Sequence, residues 1–476
     1  MDLKKYYKEI KCAGAADIFE SLRKPSSKSF LLESKDISHI YGRLSLIGID
    51  PVLEIQAKDN KFSITGLNER ANFYLKGIDE LEGEIERDDS ELEEAERTKR
   101  RCTVDVIRNF LEKYKQDKKE FVGLYGAFSY DFVRLFEDLP SILDKGEVDD
   151  FRLCLYDSFV YFDHLRDLAE IILYRQEEDD GDLAVEEIFS QFGSEEDNKS
   201  FEVSEVDFEF NEEEYKNLVL NAKDLAKRGE LFEIVYSNTL KAKFEGDSFA
   251  LYKKYSEINP SPYLFYFDFV DEQLVGASPE MMVRCENGKV HMRPIAGTAK
   301  RGADPIEDHE NMLELLASEK ERSELDMLID LGRNDLARIC KPGIEVSDYR
   351  FVEKYSKVMH TVAHLSGDLD DDYTALDSLI ACLSAGTLTG APKVASMIHI
   401  EENETTRRGY YGGAIGYLTF SGEMDTGILI RTAHIKNGRL TFRVGASLLY
   451  DSDPQAEFQE TINKAQAFLT AIDHEV

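Results

Sequence analysis

Apolar residues recur at helical spacing after residue 211 and in strand-like runs further on. Asn211-Glu212-Glu213-Glu214 has the form of a capping box. Tyr215, Leu218, Val219, Ala222, Leu225 and Ala226 then share one helical face, and Gly229 supplies the stop. Leu231-Phe232-Glu233-Ile234-Val235-Tyr236 begins a strand, and the aromatic, β-branched run from Tyr263 to Val270 predicts another. Asn287-Gly288 and Asn437-Gly438 each lie between apolar runs and predict tight hairpin turns. Strands dominate from Gly412 to Tyr450, before a last helix carrying Glu457, Glu460 and Lys464. Antiparallel hairpins mixed with capped helices predict an α+β fold rather than a doubly wound parallel sheet. No internal repeat and no glycine-rich nucleotide loop is visible.

Composition narrows the function classes. The chain has 476 residues, 42 % of them hydrophobic, enough for a large core. It contains no apolar run long enough to span a membrane. The polar start, Met-Asp-Leu-Lys-Lys-Tyr-Tyr-Lys-Glu, lacks a signal-peptide core, which leaves a cytoplasmic expectation. Cys12, Cys102, Cys154, Cys285, Cys340 and Cys382 have no paired spacing and read as small buried thiols. The formal net charge of −36 disfavours nucleic acid and anionic membranes as partners. An anionic substrate therefore needs a metal ion, Arg or Lys at the site itself, because distant surface charge is screened. Acidic stretches at Glu80–Glu96, Glu177–Asp182 and Glu195–Asp197 read as solvated faces or linkers. The later ones mark the expected boundary between an N-terminal region, 1–200, and a catalytic region, 205–476.

Three strings carry candidate chemistry: the one from Glu324 through Asp330-Leu331-Gly332-Arg333-Asn334-Asp335, Ala385-Gly386-Thr387-Leu388-Thr389-Gly390-Ala391-Pro392-Lys393, and Glu457-Phe458-Gln459-Glu460-Thr461-Ile462-Asn463-Lys464. Glu460 and Lys464 are four apart, so on a helix they share one face, and taken alone they make an exposed ion pair. Glu324 reads as the opening of a helix, and the Arg333-Asn334-Asp335 triplet as a buried hydrogen-bond network. Arg431, within an apolar run, needs a carboxylate partner. His360 in Val358-Met359-His360 is either a satisfied core histidine or a proton carrier near neutral pH. Glu280 and Glu233 are candidates for a carboxyl held protonated by burial and neighbouring carboxylates.

Together these strings resemble the chorismate-utilising enzymes, and among them most closely the large subunits of anthranilate synthase. The resemblance is strong over 210–470 and weak over 25–60. It implies the chorismate-binding fold: an α+β protein of antiparallel sheets with outer helices and a cleft between sheets. It implies Mg²⁺ as cofactor, bound by Glu324 and Glu460, with Glu457 as a supporting group or further ligand. Tyr411 and Arg431 are implied to hold a carboxylate of chorismate, with Lys464, Gly445 and Lys393 also near substrate. Glu280 falls at the family's general acid, Thr387 beside the substrate, and His360 at a residue that helps eliminate pyruvate. Glu233 departs from the family: water-using relatives carry Lys there and many anthranilate synthases Gln. Ala296 stands where 4-amino-4-deoxychorismate synthases carry a nucleophilic Lys, so 4-amination by a covalent route is excluded.

The implied reaction is chorismate plus ammonia giving anthranilate and pyruvate. The chain has no Cys in a Gly-x-Cys-x-Gly nucleophile turn, so glutamine use implies a glutamine amidotransferase subunit as partner. Leu31-Leu32-Glu33-Ser34 and Asn259-Pro260-Ser261-Pro262-Tyr263 resemble the two halves of a feedback site, which implies L-tryptophan as inhibitor. By sequence the alternatives remain a synthase of 2-amino-2-deoxyisochorismate or isochorismate, and a non-catalytic tryptophan sensor.

Overall fold

The computed structural model describes residues 3–11, 14–35, 44–177, 179–193, 199–355 and 358–474. Cys12 and the acidic residues 195–197 lie outside them. Strand residues alternate in direction, and here both directions are apolar. Phe30, Leu46, Phe265 and Phe267 belong to the core between two sheets, whereas Leu31, Ile47, Leu264 and Tyr266 pack into a second core under helices. That is why these strands read as unbroken apolar runs. The run from Tyr263 ends at Asp268 rather than Val270. Val270 has φ 78° and its N–H donates to the Asp268 carboxylate at 2.8 Å, which turns the chain.

The described strands form two twelve-stranded sheets. In the first, Ser29–Glu33 lies between Leu44–Ile49 and Tyr263–Asp268. The order continues through Glu272–Ser278, Thr432–Lys436, Arg439–Leu448 and Glu233–Gly246 to Phe201–Phe208. In the second, Ile295–Lys300 and Val358–Asp368 lead through Met281–Glu286, Met424–Ile428 and Ala414–Thr419 to Gly123–Phe128 and Phe151–Tyr156. Each sheet thus pairs early strands with late ones. The strand Phe201–Phe208 crosses the boundary expected at 200–205 and pairs with Glu233–Gly246.

Local chemistry explains the helices. In Glu212–Arg228 the Asn211 side chain accepts from Glu214 N–H at 3.1 Å, the Glu214 carboxylate accepts from Asn211 N–H, and Gly229 ends the helix in the left-handed conformation. In Pro454–Ala471 the Asp453 carboxylate caps the first turn and Pro454 occupies a position that needs no N–H donor. Thr461, Ile462, Ala465, Phe468 and Leu469 bury one stripe of that helix. Both Asn-Gly pairs have positive φ at both residues, as two-residue hairpin turns require. The acidic stretch after Glu80 is largely exposed, and the five described cysteines are free thiols. No described helix is long and apolar enough to cross a membrane.

Candidate functional site

A cavity of about 240 Å³ opens where strands of both sheets meet the helices Glu319–Ala337 and Pro454–Ala471. Strand pairing decides what faces it. Val235 stands opposite Ser447, Ser237 opposite Gly445 and Thr239 opposite Arg443. Period two then puts Glu233, Gly445, Ser447 and Arg443 on the cavity side, and all four line it. The second sheet contributes Ala296, Gly297, Thr298 and His360, and the two helices contribute Glu324, Glu460 and Lys464. Glu280, Thr387, Tyr411 and Arg431 complete the wall. The cavity therefore unites every expected catalytic, substrate and metal residue except Lys393 and the supporting Glu457.

Glu233, Glu280 and Glu324 hold protons more tightly than free carboxyls. Burial, reinforced by the nearby Glu324 charge and opposed by Lys464, pushes Glu233 up to about 8. The Glu233 Oε2 atom is buried without a hydrogen-bond partner among the described residues. Burial pushes Glu280 up to about 7, although Thr387 Oγ1 donates to its carboxylate at 3.0 Å. Glu324 is raised by burial and by the Glu321 and Glu460 charges, and Glu457 by burial and Glu460. Glu324 sits in the second turn of its helix, which starts at Glu319 under a Ser318 cap, and so does not open it.

The donor set suits a hard divalent cation, because mutually repelling carboxylates are its natural ligands. Among the described residues no three His, Cys, Asp or Glu side chains form a metal-holding group by themselves. Two carboxylates leave coordination positions for substrate oxygens and water, which is how Mg²⁺ is commonly held.

His360 Nδ1 lies 2.9 Å from the Gly297 carbonyl oxygen, which can only accept. Nδ1 therefore carries the proton and Nε2 keeps a lone pair. Thr298 Oγ1 lies 3.0 Å from the same Nδ1. A register shift between Ala296 and Thr298, with Gly297 at φ 67°, aims that carbonyl at the histidine. Burial lowers the imidazole's affinity for a second proton. Arg431 takes φ 51°, a strained conformation for a non-glycine residue. Its carbonyl accepts from Ala277 N–H at 3.1 Å and Tyr255 Oη at 3.3 Å, which fixes the strained turn. No described carboxylate pairs with its guanidinium, whose side chain lines the cavity. Gly445 is glycine for space: a Cβ would stand 2.7 Å from Tyr411 Oη and 2.9 Å from the Tyr236 carbonyl oxygen. Lys464 donates to the Gly445 carbonyl at 2.8 Å and pairs with Glu460 at 2.7 Å.

Two expectations change. Lys393 does not reach the cavity; it is paired with buried Asp335 at 2.6 Å and donates to the Leu383 carbonyl. A lysine placed near substrate by motif is thus taken up by an ion pair inside the wall. The triplet is only partly buried: Asp335 is, but Arg333 and Asn334 are exposed, and Arg333 pairs with exposed Asp330. Arg443 and Ser447 were not anticipated. Ser447 Oγ is buried in the wall without a described partner, and its place two residues from Gly445 on one strand was the available signal.

The segments Leu31–Ser34 and Asn259–Tyr263 meet elsewhere. Glu33, Ser34, Pro262 and Tyr263 line a separate cavity of about 730 Å³. Lys35 N–H donates to the Ser261 carbonyl at 3.1 Å, joining the two segments. Glu33 accepts from Tyr252 Oη at 2.6 Å, and Ser34 Oγ is buried without a described partner. Asn259, Pro260 and Ser261 lie behind this cavity rather than on its wall. Asn259 Nδ2 and Ser261 Oγ donate to the Ala277 carbonyl at 3.4 and 3.2 Å.

Comparison with known proteins adds to this geometry. The family model of chorismate binding enzymes matches residues 52–470. Anthranilate synthase component 1 of Acetivibrio thermocellus is 36 % identical over 472 residues, covering 94 % of this chain and 90 % of its own. The crystal structure of anthranilate synthase component I from Streptococcus pneumoniae TIGR4 superposes with a TM-score of 0.76 at 32 % identity, covering 90 % of this chain and 93 % of that one. The menaquinone-specific isochorismate synthase MenF of Escherichia coli shares the fold, with a TM-score of 0.71 at 17 % identity over 99 % of this chain and 94 % of that one.

Proposed function

Because the chain belongs to the chorismate binding enzymes, among relatives named anthranilate synthase component 1, we propose that it converts chorismate and ammonia to anthranilate, pyruvate and water. One observation carries the reading: a single cavity collects acid, base, cation and paired carboxylates from distant parts of the chain. Arg431 and Tyr411 bind the pyruvyl carboxylate, the former by charge and the latter by its hydroxyl. Glu280, kept near half-protonated at neutral pH, gives its proton to the departing ring hydroxyl as ammonia bonds to ring carbon 2. Thr387 orients that carboxyl through its hydrogen bond. Glu233, with Oε2 open to hydrogen bonding, faces the incoming ammonia and takes up its surplus proton when ionised. His360 Nε2 then accepts the proton from carbon 2 as the enolpyruvyl group leaves and the ring becomes aromatic.

Glu324 and Glu460 would hold the Mg²⁺. When bound, it supplies a Lewis acid for the ring carboxylate. Lys464 tethers Glu460 to the Gly445 strand.

The test is fluorescent anthranilate made steadily from chorismate, ammonium and Mg²⁺; none above background overturns the reading. A product that retains the pyruvyl ether selects the aminodeoxyisochorismate or isochorismate alternative, which the carboxyl at Glu233 favours. A glutamine amidotransferase subunit supplies ammonia in this reading, and purified chain using glutamine as well as ammonium refutes that part. L-Tryptophan is proposed for the larger cavity, supported by the orphaned Ser34 Oγ and the joined segments. The chain contains no tryptophan, so ligand fluorescence reports binding against no indole background.

A further inference from the structure

Behind the cavity wall lies a buried arginine, Arg408, that does not line the cavity itself. Arg408 Nη1 donates to the Leu388 carbonyl at 2.6 Å, beside Thr387. Its Nη2 donates to the Val235 carbonyl at 2.6 Å, two residues along the strand from Glu233. The guanidinium carbon lies over the Tyr411 ring, 5.6 Å from its centroid, and over the Tyr130 ring, 5.0 Å from its centroid. Glu404 fixes it through contacts of 3.1 Å to Nε and 2.6 Å to Nη2. Glu404 in turn accepts from Ser237 N–H at 2.9 Å, Ser237 Oγ at 2.7 Å and Arg443 at 3.3 Å. Both members of the Glu404–Arg408 pair have side chains only 1 % exposed.

We propose that Arg408, clamped by Glu404, is a positioning residue that holds three segments of the catalytic wall in register: the strand of Glu233, the turn of Thr387 and the ring of Tyr411. The planar fork matters, because only a guanidinium can direct donors to Leu388, Val235 and Glu404 at once. A lysine at 408 keeps the charge but has no fork. A pure core ion pair makes a different prediction, since its loss lowers stability without touching the coupling between wall segments. The inference rests on the reaction assigned above for the meaning of kcat.

A double-mutant cycle separates the two accounts. Arg408→Lys, Thr387→Val and the double variant are assayed for chorismate consumption and, separately, anthranilate formation. Arg152→Lys serves as a control of equal burial: Arg152 pairs with Glu54, Asp271 and Glu272 and does not line the cavity. The expected result is a kcat loss of about tenfold to a hundredfold for Arg408→Lys, the range for misplaced catalytic groups, with KM changing far less. Thr387→Val should then cost little more in that background, because the loosened turn has already lost its bond to Glu280. Arg152→Lys should lower the melting temperature with kcat retained. Glu404→Gln, which keeps the shape of the pair, should lie between wild type and Arg408→Lys, and serves if the lysine variant does not fold. Multiplicative, independent losses for Arg408→Lys and Thr387→Val overturn the proposal, as does an unchanged kcat in either clamp variant. Should the wild type consume no chorismate, the functional reading fails on its own. The clamp is then judged by amide exchange: faster exchange confined to residues 233–237 and 386–391 supports it, and uniform change overturns it.

Discussion

Replacing Thr387 with valine should make the enzyme less sensitive to alkaline pH even as it slows it. In the proposed reaction Glu280 must be protonated to act, so activity is present below its pKa and lost as pH rises through it. That pKa stands at about 7: burial raises it, and the Thr387 hydrogen bond, which favours the carboxylate, pulls it back. A hydrogen bond to a charged group contributes about 1.5–3 kcal/mol, and a half-buried site puts this one toward the lower end. With about 1.4 kcal/mol per pKa unit, its loss moves the midpoint up by roughly one unit. Near pH 8 the protonated fraction is then about one tenth in the wild type and about one half in the variant. The ratio of variant to wild-type kcat/KM should therefore rise about fivefold between pH 6 and pH 8. Anthranilate fluorescence at saturating Mg²⁺ measures it, and taking the ratio at each pH cancels the titration of ammonium. A flat ratio, or an alkaline limb that moves to lower pH, refutes the role assigned to both residues.

Glu233→Gln should stabilise the metal-free protein in a pH-dependent way. The carboxyl is held at about 8 against its ordinary 4.5, so its ionisation disfavours the fold, by nothing at pH 4 and by a growing amount up to pH 8. Calorimetry should show no gain for the variant near pH 4.5 and a gain of a few kcal/mol above pH 8; a gain independent of pH contradicts the account. Mg²⁺ should raise the melting temperature, and Glu324→Gln should abolish the shift. Persistence of the shift in that variant removes Glu324 from the metal site. Gly445→Ala should raise KM for chorismate and cost about 1–3 kcal/mol, since its Cβ meets a backbone carbonyl and the Tyr411 hydroxyl. Lys393→Met should lower stability by removing the 2.6 Å ion pair to buried Asp335 and leave KM unchanged, as denaturant melts and kinetics on the folded protein would show.

What the sequence made legible depended on how local the signal was. The Asn211–Glu214 cap and both Asn-Gly turns involve contacts within a few residues, and they appear as expected. The cavity residues were legible because their strings resemble a family, not because spacing places Glu324 near Glu460. Lys393 shows the limit of that route. A motif conveys which residue is present, and only packing conveys that Asp335 on another helix neutralises it. Ser447 and Arg443 follow from strand period two once Gly445 is placed, but the pairing with Glu233–Gly246 that turns their face inward is invisible in one chain read alone. Acidic composition, the ground for a division at 200–205, marks solvent and says nothing about which strands will pair.

The interleaving of early and late strands also governs how this polypeptide leaves the ribosome. Ser29–Glu33 has one neighbour soon after it is made, but the other is Tyr263–Asp268, and Glu233–Gly246 waits for Arg439–Leu448. Neither sheet can close until synthesis is almost finished, so greasy edges such as Phe30 and Leu31 stay uncovered through most of translation. The nascent chain is accordingly a client for chaperones, and its yield in a heterologous host should track elongation speed and holdase supply more than the melting point of the finished molecule.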